Sequence, residues 1–239
     1  MGQIRLYIAQ PLTVGSEVVL DEQQSHYLTH VMKLKVGDTI SCFDNQSGEY
    51  SCSLIAVGKK QTTLKVHDCR KPYVQTPDIW LLFAPVKKDN TDFIIQKATE
   101  LGVRKIIPVQ TRYTITERIK RERFEAQAIE AAEQCRRVDL PQIAEIKKFD
   151  DILQQWDKTR ILYYMDETLT GKPIAQALEN AKSCAILVGP EGGFSAEELA
   201  KLRGLSFARA VCLGPRILRA ETAVVSALSC WQALKGDWQ

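Results

Sequence analysis

The chain has no C-x-x-C pair, no apolar run near the length of a membrane span, and no histidine after His67. Each absence excludes something. Seven cysteines is an odd count, and most sit in apolar runs as small core residues do, so a reducing compartment is expected rather than a disulfide framework. A membrane helix needs about 20 consecutive apolar residues. Residues 1–12 combine neither a charged leader nor a sustained apolar core, so a soluble, cytoplasmic protein without a membrane partner is expected. His26 and His30 stand four apart in HYLTH, but the Glu of a zincin and a nearby third ligand are missing. They read as ordinary helix-face residues, and no metal is expected. Phosphate-loop (G-x-x-x-x-G-K-[ST]) and dinucleotide (G-x-G-x-x-G) fingerprints are also absent.

What is present is an ordinary globular balance over 239 residues, 45% hydrophobic and 26% charged, enough for one large or two modest domains. The net charge is only +3, so no global field advertises nucleic acid. Cations do cluster in TRYTITERIKRER, where Arg112, Arg118, Lys120, Arg121 and Arg123 outnumber Glu117 and Glu122; a solvated helix start would read the same way.

Residues 1–72 hold short alternating runs (SEVVLD, DTISCFD, EYSCSLIAV, TTLKVHD) around one helix-like piece at 23–34, the pattern of a small β-barrel. RKPYVQTP (70–77) reads as a linker. From there to residue 239, continuous apolar strands alternate with helical patterns, which predicts an α/β domain on a parallel sheet. Ser195 with Glu198 forms a capping box, and Gly102 and Gly236 read as helix-terminating glycines.

Two stretches late in the chain share one plan: LVGPEGGFSAEEL (187–199) and LGPRILRAETA (213–223) each run from an apolar strand through Gly-Pro into a helix. Open parallel sheets bind ligands beyond the carboxyl ends of their strands. Glu191 disfavours an anion there, so the loops suit a ligand with positive charge or a flat base needing backbone contacts. Tight turns imposed by geometry alone are the plain alternative.

Together these two stretches resemble the signature of the SPOUT class of methyltransferases, specifically the RsmE family, which methylates N3 of a uridine in bacterial small-subunit ribosomal RNA. FIIQKATELGV (93–103), P-x-x-x-x-R (108–112) and EAAEQCRR-x-x-LP (130–141) are similar to the family in order and spacing, as are RLYI (5–8), SHYLTHVMKLKVGD and SGEY of its PUA-like barrel. The resemblance implies a knotted SPOUT-type parallel-sheet domain (73–239) preceded by a small PUA-like RNA-binding β-barrel (1–72). It implies S-adenosyl-L-methionine as cofactor, 16S rRNA within the 30S subunit as partner, and a homodimer formed through the knotted domain, with the last helix (221–234) as an interface element and Trp231 and Trp238 adding apolar area near it. The cofactor would meet Leu187, Val188, Gly189, Gly192 and Gly193 in one loop. In the other it would meet Leu213, Gly214, Ile217, Leu218, Arg219, Ala220 and Thr222. RNA contacts fall to Arg5, Lys33, Lys35, Lys88, Arg118, Lys120, Arg121, Arg123 and Arg136.

Uracil N3 must lose a proton before or during attack, through a general base or through cations that stabilise its developing negative oxygens. With no histidine after residue 67, Arg112, Arg137 and Arg219 are the candidate catalytic cations. Glu133 and Glu221 are candidate proton acceptors, though Glu221 in a first helical turn also suits the helix dipole. The rival readings are a SPOUT enzyme acting on another RNA and a non-catalytic RNA-binding ribosome-assembly protein.

Overall fold

The computed structural model describes residues 4–58, 61–116, 119–179 and 183–238. They fall into two units: the chain through Gln75 together with Ala132–Asp139, and Thr76–Ala131 together with Leu140 onward.

In the first unit the alternating runs become β1 (Arg5–Tyr7), β2 (Glu17–Val19), β3 (Thr39–Phe43), β4 (Gly48–Val57) and β5 (Thr62–Pro72). They form one mixed sheet in the order β1-β3-β4-β5-β2, with β1 parallel to β3 and the other pairs antiparallel. Alternation puts Ile40, Cys42, Cys52, Leu54, Leu64 and Val66 into one apolar core. Pairing of β5 with Gly48 and Glu49 extends the strand through Arg70–Pro72, the start of the stretch expected to be a linker. The expected helix at 23–34 is shorter. Asp21 caps α1 (Glu22–His26), which passes into a single π-helical turn, Tyr27–Val31, and Lys33 beyond it takes a left-handed φ of 57°.

Arg5 explains why residues 132–139 join this unit. Its Nη1 donates to the carbonyls of Ala132 (2.6 Å) and Glu133 (3.2 Å), and its Nη2 donates to that of Arg137 (2.9 Å). Nε and Nη2 both reach Glu49, at 3.0 and 2.9 Å, and the guanidinium lies 4.3 Å from the centre of the Phe43 ring. Every N–H of the fork is thereby engaged, and the residue is 8% exposed. Arg5 is therefore an internal cap on carbonyls, which corrects its expected place on an RNA-contacting surface.

The second unit begins with β6 (Asp78–Phe83), α2 (Lys88–Glu100), β7 (Lys105–Gln110) and α3 (Arg121–Cys135), whose residues from Ala132 on count with the first unit. Next come β8 (Gln142–Ile143), β9 (Lys147–Lys148), α4 (Phe149–Gln154) and β10 (Ile161–Met165). β11 (Lys172–Pro173), α5 (Ile174–Ala177), β12 (Ser183–Val188), α6 (Ala196–Arg203), β13 (Ala208–Cys212) and α7 (Ala220–Lys235) complete it. The sheet order is β11-β13-β10-β12-β6-β7-β8 with β9 beside β7, and all the pairs are parallel.

Helices cover both faces, so the strands read as continuous apolar runs whose side chains alternate between two cores. Tyr163, Met165, Ile186 and Val188 face α2, α5 and α7, whereas Leu162, Tyr164, Ala185 and Leu187 face α4 and α6. α7 inserts Val224, Ala227, Leu228 and Trp231 into the first of these cores. Each of its larger side chains contributes about 1.5–3 kcal/mol by burial. Trp231, expected to widen an intersubunit face, is 5% exposed within the protomer; Trp238 is 56% exposed.

Candidate active site

Parallel strands end at one edge of a sheet, and β13, β10 and β12 are adjacent in that order. The loops that follow them therefore meet, and they enclose a cavity of about 370 Å³.

The loop after β12 supplies Gly189 to Gly193. Gly193 sits at φ +70° and its N–H donates to Pro190 O at 2.9 Å, closing a tight turn. A side chain at Gly193 would collide with the Glu167 carboxylate, and one at Gly189 would come within 3.1 Å of the Phe194 ring. α6 then starts on the expected capping box: Glu198 N–H donates to Ser195 Oγ (3.2 Å) and Ser195 N–H to Glu198 Oε2 (2.8 Å). The free oxygen of that carboxylate accepts the N–H of Arg112 at 2.8 Å, tying the loop after β7 to the same helix start.

The loop after β13 is more open. Gly214 has φ +110° and no atom within 4 Å of where a Cβ would stand, and Ile217 is 79% exposed although it lines the cavity. Arg219 is the N-cap of α7 and makes no side-chain capping bond, so the first amides of that helix have no side-chain acceptor at the cap.

The third wall, Met165 to Leu169 after β10, was not among the expected residues. Asp166 is buried there. Burial alone would raise its pKa, but bonds from the Thr168 and Thr170 hydroxyls (2.6 and 2.7 Å) and the Thr168 N–H outweigh it and hold the carboxyl below its ordinary range. Glu167 accepts the N–H of Phe194 at 2.9 Å, bracing the first loop. The cavity thus combines apolar walls (Val188, Leu213, Ile217, Leu218), main-chain groups exposed by glycine, and the carboxylates of Asp166, Glu167 and Glu191. It can hold a flat, partly cationic molecule.

An RNA methyltransferase domain model matches residues 74–232, and an RNA methyltransferase PUA domain model matches residues 20–66. The chain belongs to the RNA methyltransferase family. It is 32% identical to ribosomal RNA small subunit methyltransferase E of Rickettsia conorii, covering 94% of this chain and 93% of that one. Its identity to the Bacillus subtilis protein of the same name is also 32%, over 90% and 91%. A putative methyltransferase of Legionella pneumophila in complex with the cofactor SAM superposes with a TM-score of 0.90 at 28% identity, covering 99% of this chain and all of that one. The ribosomal RNA small subunit methyltransferase E of Neisseria gonorrhoeae bound to S-adenosyl methionine does so with the same score and coverage at 27% identity. The fold is therefore the SPOUT-type parallel-sheet domain with a PUA-like domain before it.

Of the cofactor-binding residues expected in this family member, Val188, Gly189, Gly192 and Gly193 line the cavity from one loop. Leu213, Gly214, Ile217, Leu218, Arg219 and Ala220 line it from the other. Two are placed elsewhere. Strand alternation turns Leu187 to the opposite face, into the core beneath α4 and α6, and Thr222 is exposed on α7 outside the lining.

The catalytic candidates divide. Arg219 is in the cavity wall and Arg112 is exposed on the adjoining turn. Arg137 and Glu133 belong to the first unit. There Arg137 makes a bidentate pair with Asp139 (2.9 and 3.0 Å), both residues buried, and Glu133 accepts the N–H of Tyr7 at 2.9 Å. Glu221 has one buried oxygen, Oε2, without a hydrogen-bond partner among the described residues.

Among the expected RNA contacts, Lys33, Lys35, Lys88, Lys120 and Arg136 are exposed, Arg136 at a left-handed φ of 62°. Arg121 pairs with Glu125 and Glu145, and Arg123 with Asp92, so both have acidic partners within the protein. Arg118 lies outside the described residues.

Proposed function

We propose that this chain transfers a methyl group from S-adenosylmethionine to N3 of a uridine in bacterial small-subunit ribosomal RNA, acting in the cytoplasm as a homodimer. The observation that carries the reading is the three-loop cavity, set in a fold that superposes end to end on SAM-bound relatives. The residues suit the cofactor. Glycines without side chains bring main-chain groups to the cavity, Leu213, Ile217 and Leu218 offer apolar walls to an adenine ring, and three carboxylates match the positive amino and sulfonium groups.

When bound, the cofactor supplies an electrophilic methyl group. The work of the chain is to hold the acceptor nitrogen in line with it and to favour the deprotonated base. Arg112 and Arg219, exposed beside the cavity loops, are the cations proposed to stabilise the negative uracil oxygens. Arg137 and Glu133, each with partners inside the first unit, are assigned a structural part. The first unit is proposed as the RNA-binding domain. Its exposed Lys33, Lys35 and Arg136, with Lys88 and Lys120 of the second, would contact phosphates.

Incubating unmodified 30S subunits with labelled S-adenosylmethionine and mapping the product tests the reading. Label on N3 of a single 16S uridine is expected; label on another RNA, or none, would refute it.

A further inference from the structure

We propose that Tyr113 provides the surface on which the acceptor base stacks, so that one turn, Thr111 to Thr114, presents both a cation and an aromatic face to the uridine. The assignment rests on the function proposed above and adds a residue to it.

Three features place Tyr113 where such a surface is needed. Its turn is fixed by its own side chains: Thr111 N–H donates to Thr114 Oγ1 at 2.9 Å, the two hydroxyls bond at 2.8 Å, and Thr114 N–H returns to Thr111 O at 3.3 Å. The turn is fastened to the cavity wall, because buried Glu198 accepts Arg112 N–H with one oxygen and Ser195 N–H with the other, both at 2.8 Å. And Gly192, which lines the cavity, leaves out a side chain where Tyr113 is rooted. A methyl on Gly192 would lie 3.2 Å from Tyr113 Cβ and 3.5 Å from its Cγ.

Tyr113 is nevertheless 51% exposed. An aromatic packed only for stability would bury most of its area. Here the root of the side chain is held against the cavity wall while half of the residue stays open to solvent.

A uridine that is to receive a methyl group on N3 must leave its stack and present that edge to the cofactor. An aromatic ring replaces the lost stacking without regard to base identity. Selectivity can then come from the neighbouring Arg112, whose donors match the two carbonyl oxygens flanking N3.

Steady-state methylation of unmodified 30S subunits by wild type, Tyr113→Phe and Tyr113→Ala tests the assignment, with S-adenosylmethionine affinity measured by calorimetry and folding by thermal melting. Tyr113→Phe should stay within about twofold of wild type, because the ring is kept. Tyr113→Ala should raise KM for the subunit roughly 5- to 150-fold, the range that stacking of one base on an aromatic spans, with cofactor affinity and melting temperature unchanged. An unchanged KM in Tyr113→Ala overturns the proposal. So does a loss of cofactor affinity, which would put the ring on the cofactor instead. A wild type that methylates no ribosomal RNA refutes the function itself and this assignment with it, so the two failures are told apart by the wild-type lane.

Discussion

The two Gly-Pro loops look alike in sequence and differ in what surrounds them. In the first, each glycine of the turn is backed by a side chain of the second unit: Gly189 by Phe194, Gly192 by Tyr113 and Gly193 by Glu167. In the second, Gly214 is backed by nothing within 4 Å and Ile217 stands 79% exposed. Glycine thus serves two ends. In the first loop it lets protein pack against protein above the buried Phe194, while Glu191 and Gly192 stay exposed. In the second it permits a left-handed backbone conformation beside open space, while Leu213 and Leu218 on either side pack against the core. Substitutions in the first should therefore be read mainly as stability, and in the second mainly as affinity.

The strongest test of that contrast is Phe194→Ala. This ring is 5% exposed beneath the first loop, and its removal should cost about 3–5 kcal/mol, lowering the melting temperature on the order of 10 °C. A melting curve that hardly moves would mean the first loop is no more anchored than the second.

Gly193→Ala should follow at about 1–3 kcal/mol, from left-handed strain and displacement of Glu167, read as a shift in the denaturation midpoint.

Asp166→Asn sharpens the comparison by pH, since this carboxylate fixes the third wall between the two loops. Its pKa is lowered in the folded protein, so its contribution is present above the ordinary carboxylate pKa near 4 and is withdrawn as pH falls through the lowered folded value. The variant should be less stable than wild type at pH 7, and the gap should close in strong acid. An equal gap at pH 7 and pH 3 would show that the hydroxyl bonds do not favour the charged form.

The smallest effect on folding is expected from Ile217→Ser, within about 0.5 kcal/mol because the side chain is exposed. Affinity for S-adenosylmethionine should nevertheless fall about tenfold or more with the loss of an apolar wall. Calorimetry and melting on the same sample separate the two.

Much of this was legible because it is local. Strand–helix alternation located β6, β7, β10, β12 and β13, and Ser195 with Glu198 marked the start of α6 where its capping box forms. What could not be read depends on contacts between distant residues. The wall at Met165 to Leu169 exists because β10 lies between β12 and β13, and strand order is not written in any one segment. RILYYMDET did signal a strand end with acidic residues after it, which is the cue that could have found it. Arg5 looked like a surface cation until its partners, more than 120 residues away, came within reach. Leu187 was misjudged by one step of strand alternation, which decides the face a side chain meets.

The membership of Ala132–Asp139 in the first unit bears on how the protein is made. The carbonyls that Arg5 caps are translated long after Arg5 itself, so a nascent chain ending at Gln75 already holds Glu49 as a partner for this guanidinium but lacks its three carbonyl acceptors. At 5–20 residues per second the missing segment follows about 3–13 s later. The amino-terminal portion is thus translated before the segment that completes its unit. A gene cut at the apparent linker would encode a fragment in which that arginine keeps Glu49 and loses the carbonyls of Ala132, Glu133 and Arg137.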